Sequence, residues 1–260
     1  MTQPASVPDA SGVPALAIES LGWGVGGLVI VDDVNLRVAR GELVSVIGPN
    51  GAGKTSLINL ISGVHAPRAG RVELLGSDLT GLRPADRTRR GLGRTFQTSS
   101  LFLGLTVEEN VRLAAQAAIG GSLDLVTTPS ADDEAHARAA SALERVGLGD
   151  RSGDIVRELS HGDRRKLELA VVLAGDAQVL LLDEPTAGVS VEETGPLIAL
   201  IRDVHREGKT IVMVEHRMEF VVDVSDRIAV MHQGQLLTVG TPAEVMDDER
   251  VRTAYLGARQ

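Results

Sequence analysis

The sequence predicts an α/β protein on a mostly parallel β-sheet covered on both faces, and three observations carry that expectation. Short runs rich in Val, Ile and Leu alternate with segments of helical periodicity along most of the chain. A glycine-rich segment, Gly48-Pro-Asn-Gly-Ala-Gly-Lys-Thr55, ends one apolar run and opens a helical one. The 260 residues are 43% hydrophobic and 23% charged, the balance of a soluble globular chain with room for a sizeable core.

Met1–Pro14 mixes Pro, Ser, Ala and Gly without periodicity and is expected to be a flexible leader. From Leu16 to Ile47, β-branched runs punctuated by Gly and Asp predict strands joined by tight turns. The period then changes: Gly53–Ser62 reads as a helix, Arg71–Leu75 as a strand, and Thr106–Ala118 as a helix opened by a Thr106/Glu109 capping box. Gly120–Asp133 collects turn formers and acids and reads as a surface insertion. Helices follow at Ala135–Val146 and Gly162–Ala174, then a strand at Val179–Leu182, a helix at Val191–Arg206 and strands at Thr210–Val214, Arg227–His232 and Gln235–Val239. Thr241-Pro-Ala-Glu244 has the cap, first-turn proline and acid of one more helix start.

Composition narrows function. With 26 Lys and Arg against 35 Asp and Glu, the net charge is −9, which argues against a passive polyanion binder and against nucleic acid as a partner. No apolar run approaches the roughly 18 residues that cross a bilayer. The first basic residue is Arg37, so a secretory start is not expected, and the absence of cysteine removes disulfides and thiolate metal sites. A cytoplasmic location fits these features.

The chemistry starts at Gly48. The segment satisfies G-x-x-x-x-G-K-[ST] directly between the strand Leu43–Ile47 and a helix, the context in which successive backbone N–H groups and a helix N-terminus cradle phosphates. Gly48, Pro49, Asn50, Gly51, Ala52, Gly53, Lys54, Thr55 and Ser56 are therefore the nucleotide-binding candidates, with Lys54 supplying a full positive charge and Thr55 placed for Mg²⁺. A second pattern, Gly22-Trp-Gly-Val-Gly-Gly27, matches G-x-G-x-x-G but is followed by strand-like LVIVDDVNLRV, so it reads as a turn between strands. Val179–Glu184 is an apolar strand ending in two acids, Asp183 as a metal ligand and Glu184 as acceptor of a proton from an attacking water.

Together with Gln97 in GRTFQ, Leu159-Ser-His-Gly-Asp163 and His216 after TIVMV, these motifs give nearly the whole chain a resemblance to the ATPase subunits of ABC transporters. That resemblance implies a P-loop NTPase core with an antiparallel β subdomain and a helical subdomain, divided as a leader over 1–14, a β and P-loop part over 15–97, a helical part over 98–158 and the rest of the core over 159–260. It implies ATP and Mg²⁺ as cofactors, with Gln97 touching both the metal and the water, and His216 holding the γ-phosphate and orienting Glu184. Ser160, His161, Gly162 and Asp163 stand at the family's signature, usually LSGGQ, which binds the ATP of a second subunit in a head-to-tail dimer. Two transmembrane permease subunits and, indirectly, an extracytoplasmic solute-binding protein complete the implied complex, at the cytoplasmic face of the membrane.

The chain departs from the family pattern in three places. His161 and Asp163 replace Gly and Gln of the signature, and the added acid calls for an offset by Arg164 or Arg165. Ala187-Gly-Val-Ser190 replaces Ser-Ala-Leu-Asp. Val25 stands where the family stacks adenine on an aromatic ring, leaving Trp23 as the candidate, with packing on its own domain as the alternative. Leu101, Phe102 and Leu103 read either as a permease docking groove or as core, and Arg83, Arg87, Arg89, Arg90 and Arg94 either as a solvated face or as a patch for anionic lipid. GLVIVDDVN, VEHRMEFV and RVRTAYLG resemble importers of branched-chain or other hydrophobic amino acids or of urea; a soluble single-cassette ATPase, as in iron–sulfur assembly, is the alternative.

Overall fold

A computed structural model describes residues 12–95, 101–119 and 129–256. The chain forms two units, one from Met1–Pro84 with Val204–Gln260 and one from Ala85–Asp203. The first unit opens with an antiparallel hairpin of Leu16–Val25 (β1) and Leu28–Val38 (β2), turning at Gly26 and Gly27. Trp23 belongs to β1, and only the two glycines after Val25 make the turn. Leu43–Ile47 (β3) is buried at all five residues and runs through the glycine-rich loop into Lys54–Ile61 (α1). Ala69–Leu74 (β4) returns beside β1, and the short Ser77–Asp78 (β5) completes a sheet ordered β2-β1-β4-β5.

The second unit contains Pro84–Thr88 (α2, whose first residue belongs to the first unit), Leu92–Thr95 (β6), Val107–Ile119 (α3), Pro129–Arg145 (α4), His161–Ala174 (α5), Val179–Asp183 (β7) and the start of Val191–Arg206 (α6). β6 and β7 are parallel, and α3, α4 and α5 pack on one another, with Val107, Val111, Ala115, Ala139, Leu143, Leu167 and Ala170 buried. Small alanines let helices approach closely, so these three give little cost in rotamer freedom. The Thr106/Glu109 box closes in both directions, at 3.1 and 2.7 Å. The expected insertion is shorter than its composition suggests: helix α4 already starts at Pro129, where a missing N–H costs nothing in a first turn, and residues 120–128 lie outside the described set.

The chain then supplies the first unit with Thr210–Val214 (β8), Met218–Val224 (α7), Arg227–His232 (β9), Gln235–Gly240 (β10), Pro242–Asp247 (α8) and Glu249–Leu256 (α9). β3 lies between β8 and β9, parallel to both, and β10 is antiparallel to β9. Both faces of β3 and β8 are covered, which explains why their sequences are apolar apart from Ser45 and the leading Thr210. Ile47, Val221, Ile228, Val230, Val245 and Val251 form one core cluster, tying α7, α8 and α9 to the sheet. Parallel strands of this kind present their C-terminal ends as loops, and the glycine-rich loop after β3 and the His216 segment after β8 both occupy such ends.

Candidate nucleotide site

The loop between β3 and α1 has backbone conformations that only glycine takes easily. Gly53 sits at φ 99°, and a Cβ on Gly48 would run into the Met231 carbonyl. Hydrogen bonds from Ala52 N to Pro49 O (3.1 Å) and from Gly234 N to Ala52 O (3.1 Å) fix the loop's path. Lys54 is buried, its Nζ donating to Gly48 O (2.8 Å) and Pro49 O (3.1 Å), so the ammonium curls over the loop. Helix α1 has no side chain capping its N-terminus and no acid in its first turn. A helix N-terminus without a side-chain cap, the dipole's positive end and a lysine ammonium folded over the loop suit a nucleotide's phosphates. Thr55 is exposed and Ser56 half-buried in the same turn.

Two further features flank this loop. Tyr255 of α9 takes a hydrogen bond from the Gly48 backbone while burial pushes its phenol up, so the C-terminal helix is tied to the loop. An open cleft of about 820 Å³ borders Pro49–Ala52, His232, Gln233 and α9; it adjoins the loop, and neither Lys54 nor Thr55 lines it. His216 is exposed directly after β8, and the buried Glu215 beside it accepts the backbone N–H groups of His216 and Arg217. Trp23 stacks on His65 with centroids 4.4 Å apart and planes 7° from parallel. One face of the indole is therefore already occupied, whereas Val25 and Leu28 at the hairpin tip are exposed.

In the second unit, Asp183 ends β7 fully buried. Its Oδ2 pairs with Arg94 Nη2 at 3.1 Å, and its Oδ1 has no hydrogen-bond partner among the described residues. Burial raises the Asp183 pKa despite Arg94, and burial also lowers that of Arg94. A buried carboxylate oxygen left in this way fits a hard divalent cation that brings waters and phosphate oxygens as its other ligands. Glu184 is half-buried and adopts φ 50°, a left-handed conformation that costs about 1–3 kcal/mol in a non-glycine residue. It breaks the strand there, and Ala187 N closes a turn onto its carbonyl at 3.0 Å.

Ser160 caps α5, accepting Asp163 N at 3.1 Å, as expected from the sequence. The offset of Asp163 is different from the expected one. Its carboxylate pairs with Arg151 (2.6 Å) and Lys166 (3.0 Å), whereas Arg164 binds the carbonyls of Val156 and Arg157 and Arg165 binds Glu168. Helical geometry gives the reason: neighbours one and two positions on turn away from residue 163, and the third comes back to its face. The basic cluster is also dispersed rather than one patch, since Arg87 is buried, Arg94 is spent on Asp183 and Arg89 on Asp86. Phe102 and Leu103 are exposed and not core; Asn110, itself buried, holds the loop through Phe102 N and O at 2.8 and 3.1 Å. Gln97 lies outside the described residues.

With this geometry in view, comparison with known proteins is decisive: the family described as ABC transporter matches residues 31–187. The chain belongs to that family. A second family, described as branched-chain amino acid ATP-binding cassette transporter, matches residues 235–259 of the cassette. The cassette is 40% identical to the high-affinity branched-chain amino acid transport ATP-binding protein LivG of Salmonella typhimurium, over 94% of this chain and 98% of LivG. It is 38% identical to BraF of Pseudomonas aeruginosa, with the same coverage. A crystallised ATP-binding cassette of an ABC transporter in its ADP conformation matches with TM-score 0.82 and 27% identity, over 94% of this chain and 99% of the other. Sequence reasoning missed Arg94 as the partner of Asp183, His65 beneath Trp23, and Glu193, which binds Ser160; their partners lie 89, 42 and 33 positions away, and no local pattern marks them.

Proposed function

We propose that this cassette is the ATP-hydrolysing subunit of an importer of branched-chain amino acids, working at the cytoplasmic face of the membrane. The observation that carries the cargo class is the match of residues 235–259, because the ATPase core is shared by cassettes of every cargo whereas this C-terminal stretch is not. No helix among the described residues is long and apolar enough to cross a membrane, so the transport path belongs to permease subunits.

The roles are read from each residue's chemistry together with the resemblance to the family. In the first unit, the N–H groups from Gly48 to Ser56 and the Lys54 ammonium bind phosphate oxygens, Thr55 offers its hydroxyl to Mg²⁺, and His216 donates to the γ-phosphate. In the second, Asp183 holds the metal through Oδ1 and Glu184 takes a proton from the attacking water. Gln97 orients that water. Magnesium, when bound, offsets the negative charge that develops on the phosphate oxygens. Trp23, with one face on His65, offers its other face to adenine. Ser160, His161, Gly162 and Asp163 meet the nucleotide held by a second cassette, a copy or a paralogue, in a head-to-tail pair. Residues 98–158 are read as the helical subdomain between the parts 15–97 and 159–260, and exposed Phe102 and Leu103 dock on the permease.

Phosphate release by wild type and by Glu184→Gln tests the chemistry. The variant is expected to bind ATP normally and to turn over about 10²–10⁴ times more slowly; equal rates would remove Glu184 from the mechanism. Purification from native membranes tests the rest: multi-span permeases that bind leucine, isoleucine or valine through an external protein are expected to accompany the cassette.

A further inference from the structure

The signature helix of this chain already carries an anion. Ser160 Oγ donates to Glu193 Oε1 at 2.6 Å, and the Glu193 carboxylate lies so close over Gly162 that a Cβ there would sit 2.6 Å from its Cδ. A hydroxyl has one proton, and that of Ser160 is spent on Glu193 while its lone pair accepts Asp163 N. Ser160 in this state has nothing to donate to a phosphate.

The second observation comes from α6. Ser190-x-x-Glu193 has the spacing of a capping box, with Glu193 N donating to Ser190 Oγ at 3.3 Å. The Ser190 backbone also donates to the Glu193 carboxylate. The carboxylate's two oxygens accept from Ser160 Oγ and, at 3.2 Å, from Ser190 Oγ as well. The hydrogen bond from Ser160, followed by that from Ser190, keeps the Glu193 pKa low, so the group is anionic at neutral pH. Ser190, one of the departures from the family pattern, thus shares a network with Ser160 whose centre is Glu193, and the Asp163 backbone N–H joins it through Ser160 Oγ.

We infer that Glu193 is a built-in competitor for the triphosphate at the signature helix, holding Ser160 and covering Gly162 until pairing of two cassettes around ATP displaces it. The inference rests on the head-to-tail reading of the signature. Glu193 governs how much nucleotide is needed to close the pair; it touches no reacting atom. Ser190 steadies the carboxylate while it waits, a hydroxyl where an aspartate would repel it.

The test measures the ATP concentration, with Mg²⁺, at which half of the cassettes associate by light scattering, in the Glu184→Gln background so that closed pairs persist, with the companion cassette present. Adding Glu193→Gln is expected to lower that midpoint about threefold or more, and Glu193→Ala at least as much, while ADP affinity at the P-loop stays within twofold of the parent. An unchanged or raised midpoint in both variants, with the parent still associating, overturns the inference alone. If ATP associates none of them, the head-to-tail reading falls and takes the inference with it. A fall in ADP affinity that parallels the change in midpoint assigns Glu193 a general structural role and also overturns it.

Discussion

Two helix N-termini, both next to a glycine and both facing phosphate in the proposed cycle, are prepared in opposite ways. Helix α1 has no cap, no first-turn acid and a lysine folded over its loop, whereas α5 has a serine cap, Asp163 in its first turn and the Glu193 carboxylate against Gly162. The first is a standing anion site; the second is satisfied within the chain. In the proposed cycle this difference lets the cassette hold nucleotide at the P-loop by itself while the signature waits for a partner and the displacement of Glu193. Helix dipole and glycine alone do not make an open site, because side chains from elsewhere in the fold decide whether the N–H groups are available.

The largest effect that sharpens this contrast should come from Lys54→Met. Charge-assisted bonds of the kind Lys54 makes are worth about 1.5–3 kcal/mol, so ADP affinity is expected to fall roughly 10- to 100-fold by calorimetry. Ser160→Ala, at the other terminus, should leave ADP affinity unchanged and cost about 1 kcal/mol of cap stability, seen as a melting temperature lower by roughly 2–4 °C. A large loss of ADP binding in Ser160→Ala would break the comparison. Asp163→Asn removes a half-exposed pairing with Arg151 and Lys166, and it is expected to lower stability by less than about 1 kcal/mol, and less still in high salt.

The smallest effect concerns pH and lies away from both termini. The hydrogen bond to Asp226 raises the His205 pKa against the opposing effect of burial; on Asp226, burial pushes upward but the bonds from His205 and Leu43 N hold the pKa low. A raised histidine pKa contributes stability that is complete below its unfolded value and fades as pH rises through the folded one. The lowered Asp226 contributes above its own unfolded value and fades as acid protonates it. Melting of wild type and His205→Gln should therefore differ most near pH 5–6, above the titration of Asp226 and below that of His205, and converge in alkali.

Much of the site was legible in advance where neighbours in sequence are neighbours in space. The P-loop, the acids ending β7, the Ser160 cap and the boxes at Thr106 and Thr241 all involve residues within a few positions, so covalent geometry alone brings them together. Lys166 as a partner for Asp163 was also within reach, since three residues on a helix share a face. Arg164 and Arg165, nearer in sequence, misled because adjacency along a helix is not proximity.

The sequence by itself determined most of the strands and helices, the glycine-rich loop and the chemical types at each position, because periodicity and local hydrogen bonding depend on spacing along the chain. Tertiary structure decided that Arg94 neutralises Asp183, that His65 takes one face of Trp23, and that Glu193 rather than a phosphate rests on Ser160. Such charges and rings are brought together by packing of distant elements, and many cations and acids in a chain of mixed charge would serve equally until the fold selects one.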